Sequence, residues 1–138
     1  MGPKNGPLGE AEKLKTYMVN FLAQSFEGGQ TNKDKMDSFN KFGISLYMAG
    51  ACEILSQKGD MDLLTKSKIL AEAVQIMGFK KSHAAAFAER YEEYLMADAR
   101  YMQMFQAGRN AMNTYASGDD SGVDTLKGAL TEWNKPKQ

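Results

Sequence analysis

The chain has 138 residues, with 17 basic side chains against 17 acidic ones and a single cysteine. A domain of that length can bury roughly 68% of its unfolded surface, balanced charge gives no global field for nucleic acid or an anionic membrane, and one cysteine excludes an internal disulfide and suits a reducing compartment. No apolar run is long enough for a bilayer span and the opening MGPKNGPLGE lacks the apolar centre of a signal peptide, so a cytoplasmic protein is expected.

Residues 1–9 hold two prolines and three glycines and are expected to form a disordered leader, with residues 10–133 making one helical domain. The first helix starts at Glu10. Leu14, Tyr17, Met18, Phe21, Leu22 and Phe26 fall on one stripe, and Gly28 with Gly29 ends it. A second helix is expected over residues 34–57, capped by Thr31 or Asn32 and stopped at Gly59. Gly43 and Gly50 lie seven apart on its apolar stripe, with Cys52 close by. Each glycine costs ~1 kcal/mol against alanine in a helix interior. That expense points to close packing by another helix, or to a pocket for a small apolar ligand.

A third helix is expected over residues 61–77, with Leu63, Leu64, Ser67, Leu70, Val74 and Met77 inward and Gly78 as its end. Residues 82–115 contain no proline and one glycine, and apolar positions recur at spacings of three, four and seven. Ser82 is the expected N-cap. Unbroken, this helix would be about 50 Å long at 1.5 Å per residue, so it bends near residues 97–99 or projects beyond the body. A last short helix, capped by Asp120 or Ser121, carries Val123, Leu126, Leu130 and Trp133, and residues 134–138 read as a linker-like tail. No segment alternates with period two. The fold class is therefore all-α, a bundle of about five to six helices with one long central helix.

Little chemistry is legible, and neither a cofactor nor a metal site nor a catalytic constellation is expected. His83 is the only histidine and has no partner at ligand spacing. Asp60 and Asp62 superficially open a calcium loop, but Thr65 stands where a glycine is needed and Ala71 where a glutamate is needed. Glu89, Glu92 and Glu93 beside Arg90 fit a solvated face. The stretch around Gly78 has helix-turn-helix spacing, yet the following helix offers alanines and glutamates where base and phosphate readers belong. Nucleic acid is thus a weak alternative.

The run GRNAM at 108–112, the turn at Gly118 and Asp119, the closing LTEWNKP at 130–136 and LYMAGACEIL at 46–55 resemble a helical region that precedes the catalytic domain of some bacterial class III adenylate/guanylate cyclases. In that family the domain that follows carries two metal-binding aspartates and works as a dimer. None of that catalytic region is in this sequence, so the resemblance implies a regulatory or dimerising piece. The long stretch supports the same expectation. Tyr91, Tyr94, Tyr101, Met102, Met104 and Phe105 form the candidate interface to a second copy or another protein domain, since a helix that long has more apolar surface than its neighbours cover. The alternative is a sensor domain with an apolar ligand between the helices near Gly43, Gly50 and Cys52.

Overall fold

The computed structural model describes residues 7–28 and 36–136. They form six α-helices: α1 (Pro7–Gly28), α2 (Ser38–Lys58), α3 (Leu63–Gln75), α4 (Lys81–Leu95), α5 (Ala99–Ala116) and α6 (Leu126–Trp133), with a 3-10 turn over Asp120–Asp124 before the last. There is no strand among the described residues. No described helix is long and apolar enough to cross a membrane.

The centre of the bundle is α2. Gly43, Ile44, Ser45, Leu46, Tyr47, Met48, Ala49, Gly50, Ala51 and Cys52 are all buried in succession. A helix without a wet face must lie inside its neighbours, so α2, rather than the long stretch after it, is the element the others surround. α1 covers it with Met18, Phe21 and Leu22, all buried as the stripe predicts. α5 makes the most extensive pairing with it. Phe42 meets Tyr101 at a ring separation of 5.2 Å, and Gly50 meets the backbone between Phe105 and Arg109. Both contacts advance along the two helices together, so α2 and α5 run parallel.

The long stretch is broken rather than bent. The N–H groups of Met96 and Ala97 close α4 on the carbonyls of Glu93 and Tyr94. Asp98 then takes an extended conformation and accepts the Arg100 N–H at 2.8 Å. An aspartate in that role starts a new helix, because its carboxylate satisfies a donor that the first turn leaves open. With the break at Asp98, both halves turn their aromatic faces onto α2.

Other boundaries follow the same capping logic. Asp37 caps α2 through the Asn40 N–H at 2.8 Å, and the expected caps Thr31 and Asn32 lie outside the described residues. Asp62 caps α3 through the Thr65 N–H at 2.8 Å. Asp60 itself turns the chain with φ 52°. Ser82 is not a cap: α4 starts one residue before it, and Lys80 supplies no side-chain hydrogen bond there. Asp119 caps the 3-10 turn through Ser121, and α1 begins at Pro7, inside the expected leader. The tail is held at least in part, since Arg100 donates to the carbonyls of Trp133 at 3.1 Å and Lys135 at 2.8 Å.

Candidate functional site

α3 and α4 form an antiparallel hairpin joined through Gly78, whose φ of +96° suits a residue without a side chain. Lys66 Nζ donates to the Tyr91 hydroxyl at 3.2 Å, and that hydroxyl donates in turn to Glu53 Oε2 at 3.3 Å. A buried phenol needs such partners. Burial pushes the Tyr91 pKa up, and the Glu53 and Glu92 carboxylates add to the effect. This relay ties α2, α3 and α4 together one turn inside the open end of the hairpin.

Outside that relay the apolar pattern outruns the bundle. Leu63 stands seven residues before the buried Leu70, on the same face of α3, but no helix covers it at that level. Leu63 and Leu64, expected inward, are 77% and 67% exposed, and Met96 just past the end of α4 is 86% exposed. Six large apolar side chains are exposed among the described residues. Three of them, Leu63, Leu64 and Met96, lie at the start of α3 and just past the end of α4, whereas the Tyr94 ring packs on Phe42 and Phe87 at the cleft described below. Exposed charges of both signs flank the three: Lys58, Asp60, Asp62 and Lys68 on the α2 and α3 side, and Glu89, Arg90, Glu92 and Glu93 on the α4 side.

The interface residues expected from the sequence are therefore redistributed. Tyr91, Met104 and Phe105 are buried core, and the Tyr91 and Phe105 rings stack at 5.9 Å. Tyr101 and Met102 are half-buried against the core. Of the six, Tyr94 alone is exposed, at 37%. The break at Asp98 is the reason, because it gives each half of the stretch its own face of α2 to cover.

Gly43, Gly50 and Cys52 stand at close packing among the described residues. A Cβ on Gly43 would stand 2.6 Å from the Trp133 indole, and one on Gly50 2.0 Å from the Phe105 carbonyl oxygen. The reciprocal contact comes from Gly108, where a Cβ would meet the Tyr47 carbonyl oxygen at 1.9 Å. The sequence marks Gly108 as the one glycine of the long stretch, but not as a packing position, because the helix it meets is distant in the chain. Cys52 is buried and its thiol lies 3.7 Å from the Lys66 carbonyl oxygen. Burial pushes its pKa up to about 12. It is expected to resist iodoacetamide in the native state at pH 8 and to react at the rate of global unfolding, as mass spectrometry of labelled protein with and without urea would show. Labelling as fast as free cysteine would contradict this burial.

A second feature lies toward the turn of the same hairpin. A cleft of 160 Å³ opens between α2, α3 and α4, walled by Phe42, Val74, Phe79 and Phe87 with Tyr94 at its rim. Ser45 and His83 are its polar lining. Of these aromatics the sequence marks Tyr94 as an interface candidate, and periodicity carries no signal for the space between them. The helix-turn-helix spacing is that of this hairpin, and the exposed face of α4 sets Glu89, Glu92 and Glu93 against Arg90, a poor match for phosphates.

Comparison with known protein families, curated proteins and solved structures yields no match to this chain.

Proposed function

We propose that the chain is a non-catalytic helical regulatory module that self-associates through the open end of the α3–α4 hairpin. The observation that carries this reading is the exposure of Leu63 and Leu64 at the start of α3 and of Met96 just past the end of α4. Isolated exposed leucines are ordinary, whereas several at one site mark a surface that another surface covers. Charge favours a second copy as the occupant. Both signs of charge surround the apolar residues, and a two-fold arrangement can set each copy's lysines against its partner's carboxylates. The resemblance to the region preceding cyclase catalytic domains supports the same reading, because those domains work in pairs.

Light scattering coupled to size exclusion tests it. The protein is expected to elute as a dimer at about 10–100 µM, and Met96→Lys combined with Leu63→Lys is expected to return it to a monomer. Both positions are exposed, so the thermal midpoint of the monomeric variant should change by no more than the equivalent of about 0.5 kcal/mol. A wild-type protein that stays monomeric across that range rules out self-association.

A further inference from the structure

We propose that the cleft between α2, α3 and α4 binds a single-ring aromatic carboxylate. This inference does not depend on self-association, and it places a ligand beside Phe42 and Ser45 rather than at the backbone crossing of Gly50 and Gly108. Size comes first. An apolar cavity of about 150 Å³ takes up one benzene-sized molecule, and this cleft measures 160 Å³. The walled part of the cleft is thus matched by one ring, with any further group of the ligand at the open mouth.

The walls select an aromatic ring over an aliphatic one. Phe42 stands edge-on to Phe87 at 84° and 6.1 Å, and edge-on to Tyr94 at 82° and 5.4 Å. An incoming ring can extend this pattern by offering its face to one edge and its edge to one face. Val74 and Phe79 close the remaining apolar sides.

The mouth selects an anion. His83 lines the cleft, and no acidic side chain does. Lys41 brings its ammonium nitrogen to 3.5 Å from the place a Cβ would occupy on Gly78, next to Phe79. Lys80 and Lys81 are exposed at the same corner. The start of α4 lacks a side-chain cap, so the first N–H groups of that 15-residue helix remain available to a carboxylate beside His83. Ser45, 1% exposed, already donates its hydroxyl to the Lys41 carbonyl at 2.8 Å. Its oxygen is left as an acceptor, which suits a ring bearing a hydroxyl or ring N–H donor.

Titration of the full chain with benzoate, followed by amide NMR shifts and calorimetry, is the test. Saturable binding is expected with a dissociation constant of about 1 mM or tighter, with the shifts centred on Ser45, Phe79 and His83. Benzyl alcohol, of similar size but neutral, is expected to bind about five-fold more weakly. His83→Ala with Lys41→Ala should bring benzoate down to the level of benzyl alcohol while leaving benzyl alcohol unchanged. Filling the cleft with Val74→Phe should abolish binding of both, in a variant whose melting curve shows it folded. The proposal is overturned by non-saturable benzoate shifts, by equal affinity for the neutral analogue, or by shifts centred elsewhere.

Discussion

Gly108→Ala is expected to destabilise the fold by about 3 kcal/mol, at the upper end of what overpacking a core does. The added methyl would lie 1.9 Å from the Tyr47 carbonyl oxygen. The obstacle is backbone in the middle of the buried helix α2, which cannot swing aside as a side-chain tip can. Relief requires α5 to move outward along the whole crossing, loosening the contacts that Met104, Phe105 and Met112 make from the same face. Gly50→Ala meets the Phe105 carbonyl oxygen at 2.0 Å from the other side and is expected to have a similar effect. Both act on one crossing, so the double variant should lose less than the sum of the singles. Gly128→Ala is the control. A Cβ there meets nothing within 4 Å, and the site is exposed within α6, so this change should stabilise by about 0.5–1 kcal/mol through helix propensity. Equilibrium urea unfolding reads all four variants. Identical midpoints for Gly108→Ala and wild type would show that the helices are not in backbone contact.

How far these features can be read in the sequence depends on how local their causes are. The stripe of α1 and the inward faces of α3 below Leu70 and of α6 follow from a 3.6-residue period alone. The role of α2 does not. Its small residues (Gly43, Ser45, Ala49, Gly50, Ala51 and Cys52) count as neutral in a periodic reading, and burial all round looks like a weak stripe. The glycines signal that some backbone approaches, but the identity of that backbone, at Phe105 and Arg109, is a long-range fact. The chain at residues 97–99 shows a bend signal, and only the cap geometry of Asp98 makes it a break. That one boundary reverses the apparent surplus of apolar surface on the long stretch. Tyr91, Met104 and Phe105 become core, and what remains uncovered shifts to Leu63, Leu64 and Met96. Periodicity places Leu63 on the correct face; it cannot say that the neighbouring helices stop short of it.

Trp133→Ala is expected to cost about 4 kcal/mol and to release the C-terminal segment. Trp133 is 1% exposed, and four independent features hold it there. Its ring stacks on Phe39 at 4.6 Å and tilts against Tyr101 at 5.7 Å and Phe42 at 6.2 Å. Its Nε1 donates to the Phe39 carbonyl at 3.1 Å, and its face fills the groove above Gly43. Its own carbonyl accepts from Arg100. α6 has eight residues, too few to be stable as a helix by itself, so its order derives from this docking. Loss of the ring should therefore unfold α6 locally before the bundle melts, and Asn134, which bonds Asn40 at 2.7 Å, should be released with it. Amide exchange separates the two effects: protection across α6 should collapse toward the unfolded rate in the variant, while α2 retains protection in proportion to the remaining global stability. Trp133→Phe keeps most of the stacking and loses the Nε1 donor, leaving the Phe39 carbonyl to find another partner. It should lie between the two at a loss of about 1–2 kcal/mol. If α6 keeps its protection in Trp133→Ala, the indole does not anchor the helix, and the clash drawn at Gly43 would no longer explain why that position holds a glycine.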